Sequence, residues 1–438
     1  MGLRVGFLPN YALKNSAWLH FQAKYGKMNK NISAKEIFMA RENARSNLGE
    51  ATKGKNDEFY TLYEDIQKEV NAYLEYNPDV FRGKTVLLPC DDPEWSNFTR
   101  FFAQNFENFG LKKLISTSFA HESKNFKGAY QLSLFEEEAP QFDESKTKTH
   151  GKIFTLTRDR NHSGFIDIDD LEWQYLEGDG DFRSDEVKAL RDEADFVITN
   201  PPFSLFREFL AWILEANKQF LLIGNINCIT YKEVFPLIKN NVAWLGNGMG
   251  RWISGFIVPE TYDLYGSEAR IDENGNRIVA TNNCLWLTNI EHGRRHQPLQ
   301  LMSMADNLKF SKHKEIKENG YPQYDNYNAI EIPFTDAIPN DYDGEMGVPI
   351  TFLDKYNPEQ FEIVGLGNSR ENFTPTKDYI NPYKITKQGK AVNGGAINCV
   401  LTLATKEKPE GKVYYIADNS DYLIPPYARV LIKKRVQE

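Results

Sequence analysis

Apolar and polar positions along this chain recur on two periods, and the switches between them mark out its elements. A basic, helix-leaning start (NISAKEIFMARENARSNLG) leads to EDIQKEVNAYLEY, where apolar residues recur at helical spacing. The apolar run TVLLP follows, then the amphipathic WSNFTRFFAQNFENFG and the strand-like KKLISTSF. After an interruption at roughly residues 119–178 come FVIT, the amphipathic LFREFLAWILEANK and the apolar FLLIG. Buried β-runs alternating with amphipathic helices predict a parallel sheet with crossover helices, an α/β layered domain over residues 59–290. The interruption contains the acidic QLSLFEEEAPQFDE and reads as an exposed loop or insertion. Beyond residue 240 the texture changes to short strands punctuated by Gly, Asn and Pro (GRWISGFIVPE, NNCLWLTNI, INCVLTLATK, ARVLIKK). The pattern therefore predicts three parts: a basic arm over 1–58, the α/β domain over 59–290, and a β-richer region over 291–438.

Composition supports folded domains: 438 residues, 41% hydrophobic, with 22 Tyr and 29 Phe, supply two or three cores. No apolar stretch approaches the ~20 residues of a membrane span, and the first residues lack the apolar core and cleavage site of a secretory signal. The residues ahead of Met28 show no clear pattern, which makes Met28 a candidate start that amino-terminal sequencing would test. Cys90, Cys228, Cys284 and Cys399 form no C-x-x-C pair, as suits reduced thiols in a cytoplasmic protein. The net charge of -9 argues at first against nucleic acid, but its distribution does not. Residues 1–58 carry ten Lys/Arg against five Asp/Glu, whereas residues 131–196 carry eight against eighteen. The ends can still present basic faces to phosphates. Candidate segments are HGRRHQP (292–298), KFSKHKEIKENG (309–320), the terminal IKKR and the basic arm.

The candidate chemistry lies in DFVITNPPFSLFREFL, residues 195–210. Asn200 directly follows the FVIT strand, at the sheet edge where open α/β folds bind ligands. Pro201 and Pro202 each fix φ and keep the preceding residue out of helical geometry. The turn is thus held extended, and the Asn side-chain oxygen and the Pro201 carbonyl can together accept both hydrogens of an exocyclic amine. Phe203 offers a face on which a planar base can stack, worth ~1–3 kcal/mol. This suits methylation of an aromatic amine, whose lone pair is delocalised until acceptors draw its hydrogens out of the ring plane. Asn200 orients and hydrogen-bonds rather than acting as a base. A stiff loop ending a strand is the plainer alternative.

A second motif, DRNHSGFIDIDD (159–170), puts Asp159, Asn161, Ser163 and Asp170 at the first, third, fifth and twelfth places of an EF-hand-like loop, with Gly164 at the sixth. Asp in place of the terminal Glu and a strand-like approach weaken the match. A metal-free acidic turn stands beside a structural Ca²⁺ as the reading.

NPPF, DEFYT at 57–61, LLPCDDPEWSNF at 87–98, GDGDFRS at 178–184 and FLLIGNINCITYKEVFPLI at 220–238 together resemble the EcoRI-type family of adenine-specific DNA methyltransferases, over most of residues 50–370. The resemblance implies a Rossmann-like catalytic domain with a carboxyl-terminal target-recognition region, S-adenosylmethionine as methyl donor, and a flipped-out adenine in double-stranded DNA as acceptor. It further implies a cytoplasmic, nucleoid-associated bacterial enzyme, with a cognate restriction endonuclease acting on the same site. Phe59, Tyr60 and Thr61 match the family's leading motif, which lines the methionine end of the donor. Pro89, Cys90, Asp91 and Asp92 occupy the first strand-to-helix turn, with Asn97 just beyond. Carboxylates there can bind the donor's ammonium group and backbone N–H groups its carboxylate, helix capping by Asp91 or Asp92 being the alternative. The turn has no G-x-G. The second strand ends in Ser116-Thr117-Ser118, where an acidic residue usually holds the ribose, so the ribose partner is open. Asp179 or Asp181 can accept from the donor's adenine amine, or form a solvated turn. Methylation of RNA or of protein glutamine amides, and a catalytically silent DNA- or calcium-binding module, are the competing functions.

Overall fold

The computed structural model describes residues 60–93, 96–120, 142–157, 173–249, 253–258, 269–273, 275–279, 283–369, 373–418 and 420–435. They fall into two compact units. The first takes residues up to 68, 79–224 and 250–289; the second takes 69–78, 225–249 and 290–438.

The first unit is built on β1 (Thr85–Leu88), β2 (Lys113–Thr117), β3 (Lys152–Leu156), β4 (Trp173–Tyr175), β5 (Phe196–Thr199), β6 (Gln219–Asn225) and β7 (Cys284–Thr288), in the spatial order β4-β3-β2-β1-β5-β6-β7. Strand β1 is parallel to β2 on one side and to β5 on the other, and β5 is parallel to β6. The chain thus winds outward from β1 to β2, then returns past β1 to β5. Such a reversal opens a crevice beyond the carboxyl ends of the two central strands, the usual ligand site of open α/β sheets. Both central strands are buried at every position, which is why TVLL and FVIT are apolar without alternation.

Helix α1 (Asn97–Gln104) starts where the Ser96 hydroxyl accepts the Phe98 N–H at 3.0 Å. Its spacing buries Phe98, Phe101 and Phe102 together. Phe102 meets Phe81 and Phe109 edge-on, with centroids 5.7 and 6.1 Å away, so its truncation would cost ~3–5 kcal/mol. Helix α2 (Asp185–Glu193) is capped by Ser184, and α3 (Phe206–Glu215) buries Phe206, Phe209, Leu210, Trp212 and Ile213. The buried Arg191 of α2 donates to the Trp212 carbonyl at 2.7 Å, tying the two helices together.

Part of the expected insertion is sheet. Lys152–Leu156 pairs antiparallel with β2, and Trp173–Tyr175 pairs antiparallel with β3. The KIFTL burial alternates, the signature of a strand with one covered face. The EF-hand-like loop, with Asp159, Asn161, Ser163 and Asp170, lies outside the described residues. Among those described, no group of three or more His, Cys, Asp or Glu side chains is placed to hold a metal ion.

A smaller sheet of the first unit pairs Tyr60–Thr61 with Phe256–Val258, and the latter with Arg277–Val279. The second unit carries two further sheets. Glu345–Pro349 and Phe361–Leu366 flank Arg429–Lys434, with Ala329–Glu331 at the edge. The other sheet joins short strands between Tyr383 and Ile424 over a core of Tyr379, Ile397, Tyr415 and Leu423.

Candidate active site

Segments far apart in sequence close a ring of contacts at the carboxyl ends of β1 and β5. The last residue of β5, Thr199, donates its hydroxyl to Asp91 Oδ2 at 2.6 Å, and Ser96 donates to Asp91 Oδ1 at 2.6 Å. Next to Ser96, Asn97 donates through Nδ2 to the Thr61 carbonyl at 2.9 Å. Thr61 lies opposite Phe256 in the antiparallel pair, and the Phe256 ring meets Phe203 edge-on at 6.5 Å. Phe203 stands three residues after Asn200, whose neighbour is Thr199. The ring therefore joins the proline turn, the β1 turn and the Tyr60–Thr61 strand, three of the motifs picked out in the sequence.

Asn200 emerges half-buried from the end of β5 with Pro201 buried behind it. The Pro202 carbonyl accepts the Leu205 N–H at 2.9 Å, closing a short helical turn over Phe203–Leu205 that leads into α3. The Phe203 ring is half-buried and meets Phe256 edge-on.

Asp91 is the hub of the β1 turn. Its backbone N–H donates to the Thr117 carbonyl at 3.1 Å, its carbonyl accepts from the Ser116 hydroxyl, and its carboxylate takes the two hydroxyls above. Burial pushes the carboxyl up to about 7; the Ser96 and Thr199 hydroxyls oppose this and the charge of Asp92 adds to it. Neither acid caps α1, because Ser96 does; Asp91 braces that cap instead. Pro89 is buried and its carbonyl accepts the Thr117 hydroxyl at 3.2 Å, while Cys90 and Asp92 are half-buried on the same turn.

The Ser116-Thr117-Ser118 end of β2 faces inward. Ser116 pairs with Thr99 at 2.7 Å, Thr117 with Pro89, and the Ser118 hydroxyl accepts the Lys152 N–H at 3.1 Å. The GDGDF turn lies against this strand end: the Asp179 carbonyl accepts the Ala120 N–H at 2.7 Å. Gly180, at φ +81, and Gly151 crowd the Ser118 carbonyl so closely that an added Cβ would come within 2.1 and 2.4 Å of it. Only glycine permits that approach. The Asp179 carboxylate accepts the Asp181 N–H at 3.0 Å, whereas Asp181 is held by Arg183 at 2.5 Å. Burial works against the Asp181 charge, but the Arg183 guanidinium and N–H prevail and keep its carboxyl below the usual range.

Phe59 lies outside the described residues, but Tyr60 and Thr61 sit at the ring. The Thr61 hydroxyl is buried and has no hydrogen-bond partner among the described residues. An orphaned buried hydroxyl beside a strand-end crevice fits a site that a polar ligand completes. Sequence reasoning missed Thr199, Phe256 and the Asp65–Ser254 clamp. In that clamp Asp65, buried and so raised against the pull of its Ser254 bonds, accepts the Ser254 N–H at 2.7 Å and hydroxyl at 2.8 Å, two residues before Phe256. Thr199 carried the one available signal, a polar residue ending an otherwise apolar buried strand.

The arginines of HGRRHQP are engaged within the fold. Arg295 is buried over Trp244, 3.8 Å from the ring centroid, and pairs with Glu291 at 3.1 Å. Arg294 pairs with Asp354 at 2.5 Å. In the terminal IKKR, Lys434 donates to the Asn340 carbonyl at 2.5 Å and Arg435 to the Phe361 carbonyl at 3.3 Å, while Lys433 and Arg435 stay exposed.

A family model described as the adenine-specific methyltransferase EcoRI matches residues 47–435. The chain is 47% identical over 326 residues to the Type II methyltransferase M.EcoRI of Escherichia coli, covering 74% of this chain and 90% of that protein. It is 34% identical over 316 residues to the Type II methyltransferase M.MpnI of Mycoplasma pneumoniae, covering 72% and 83%. A third relative, the Type II methyltransferase M.MgeORF184P of Mycoplasma genitalium, is 35% identical over 316 residues, covering 72% and 84%. No solved structure matches the chain. Motif order, ring geometry and relatives agree, and the chain belongs to the EcoRI-type family of adenine-specific methyltransferases.

Proposed function

We propose that this protein transfers a methyl group from S-adenosylmethionine to N6 of an adenine flipped out of duplex DNA, as the protective partner of a restriction endonuclease. The observation that carries this reading is the ring joining Asn200 and Phe203 to Asp91, Asn97 and Thr61. It makes one site from the turn suited to hold an amine and the strand ends suited to hold a methyl donor. The first unit then serves as a Rossmann-like catalytic domain and the second as the target-recognition region. The relatives named above are Type II methyltransferases, which supports duplex DNA over RNA or protein as the substrate.

The donor site falls to Tyr60, Thr61, Cys90 and Asp92, with Asp179 at the neighbouring turn. When bound, S-adenosylmethionine supplies a methyl group made electrophilic by its sulfonium. The chain's own residues supply position. Asn200 Oδ1 and the Pro201 carbonyl accept the two N6 hydrogens, which pulls the nitrogen toward tetrahedral geometry and frees its lone pair. Phe203 stacks on the extruded base and offsets part of the few kcal/mol that extrusion costs. No side chain need act as base, because the proton leaves after the nitrogen has gained its fourth bond. Asp91 shapes the turn through its hydroxyl partners.

Incubation with labelled S-adenosylmethionine and duplex DNA, against tRNA and protein controls, tests the substrate class. Label in N6-methyladenine of the duplex is expected; label confined to tRNA or glutamine would overturn it. Asn200→Ala is expected to lower methyl transfer by at least ~100-fold, on the scale of losing one preorganised hydrogen-bonding group, with donor affinity retained. Wild-type rates in that variant would remove Asn200 from its role.

A further inference from the structure

The second unit carries a basic β-ribbon that none of the recognised motifs covers. Tyr383–Ile385 pairs antiparallel with Ala391–Asn393, with Tyr383 opposite Asn393, Lys384 opposite Val392 and Ile385 opposite Ala391. The turn between them closes through Thr386, whose carbonyl accepts the Gly389 N–H at 2.8 Å and whose N–H donates to the Lys390 carbonyl at 3.0 Å. Gly389 takes φ +79 there. Residues 387–393 are exposed throughout, and Tyr383 is 54% exposed.

Charge separates this ribbon from the rest of the chain. Residues 379–406 contain Lys384, Lys387, Lys390 and Lys406 and not one Asp or Glu, within a protein whose net charge is -9. Other lysines of the same unit are neutralised: Lys312 by Asp336 at 2.7 Å, Lys314 by Glu318 at 3.4 Å and Lys377 by Asp325 at 2.7 Å. Lys384, Lys387 and Lys390 make no ion pair among the described residues. Three ammonium groups carried on one short hairpin repel one another, a cost that a polyanion relieves.

The root of the ribbon is firm. Gly394 donates to the Pro382 carbonyl at 2.9 Å and packs so tightly that an added Cβ would lie 2.7 Å from that backbone. Asn393 Oδ1 accepts the Gly395 N–H at 2.8 Å, and Asn381 Nδ2 donates to Asp418 at 2.7 Å. The lysines thus project from a fixed frame rather than a loose tail. Tyr383–Ile385 is also paired on its other side with Tyr414–Ile416, so the ribbon is the exposed edge of a five-stranded sheet, and strands of a sheet can enter a DNA groove.

We propose that the Tyr383–Asn393 ribbon binds duplex DNA, with Lys384, Lys387 and Lys390 neutralising its phosphates. This rests on the reading of the substrate as duplex DNA, and the test keeps the two apart. Binding of a fluorescent 30-base-pair duplex would be followed from 50 to 200 mM NaCl for the wild type and for Lys384→Ala/Lys387→Ala/Lys390→Ala. Each phosphate contact contributes about 0.9 to the slope of log affinity against log salt, so the triple variant is expected to lose about 2.7. The Lys384→Arg/Lys387→Arg/Lys390→Arg variant should keep the wild-type slope, and donor binding should be unchanged in both. If the alanine variant fails to fold, Lys387→Gln/Lys390→Gln at the exposed turn is expected to lose about 1.8. A folded variant with the wild-type slope overturns the ribbon's role, and would do so if an acidic protein were its partner. A wild type that methylates and binds no duplex overturns the functional reading itself.

Discussion

Asp91→Asn offers a test of what the buried carboxyl does. In the folded protein burial raises it from 3.8 to about 7, a difference on the order of 4 kcal/mol. The folded state therefore holds a proton more tightly than the unfolded chain. Its contribution is fully present below the unfolded value near 3.8, and is lost progressively as pH rises to about 7. Asn has the same shape and no charge to desolvate, and it can still accept from one of the two hydroxyls. The stability of the variant relative to the wild type should thus grow with pH, by about 2 kcal/mol between pH 5.5 and pH 8. Denaturant melts of both proteins at the two pH values would measure it. A difference that stays constant with pH would show that the carboxyl is not held proton-hungry in the fold. Donor affinity measured on the same samples separates the alternatives within the site. A carboxylate spent on Ser96 and Thr199 leaves affinity within a few-fold, whereas one that grips the donor's ammonium loses it by at least ~10-fold.

Phe203→Ala should lower kcat/KM on DNA by ~5- to 150-fold, the equivalent of one lost stacking contact of ~1–3 kcal/mol; unchanged kinetics would show that the ring does not meet the base. Asn97→Ala removes the 2.9 Å bond to the Thr61 carbonyl and should weaken donor binding by ~5-fold, for a bond of about 1 kcal/mol, with little change in kcat at saturating donor. Calorimetry showing wild-type donor affinity would count against this tether. Gly180→Ala places a methyl 2.1 Å from the Ser118 carbonyl at φ +81 and should destabilise the protein by at least ~2 kcal/mol in a denaturant melt. A neutral result would mean that the turn can move away.

The α/β core was legible because TVLL and FVIT are wholly buried strands, and because Phe98, Phe101 and Phe102 recur at helical spacing. Asn-Pro-Pro-Phe was legible because proline dictates backbone shape locally. What escaped depends on contacts across the fold: Asp91 meets Thr199 across 108 residues, and Asp65 meets Ser254 across 189. No local pattern encodes such pairs. The strand KIFTL, paired on both sides, was obscured by the acidic tract before it, which reads as loop. The arginines of HGRRH misled for another reason. Charge counts carry no direction, and a guanidinium stacked over Trp244 looks the same in sequence as one facing phosphate. Conversely, the acid-free run 379–406 was visible in the sequence as a local charge anomaly, but its meaning needed the ribbon geometry.

The closed circuit through Thr199, Asp91, Asn97, Thr61, Phe256 and Phe203 has a thermodynamic corollary. Whatever order one substrate imposes on its share of the circuit is inherited by the other, so the two binding free energies are linked rather than additive. Reciprocity then requires that the factor by which the methyl donor tightens the hold on DNA equal the factor by which DNA tightens the hold on the donor.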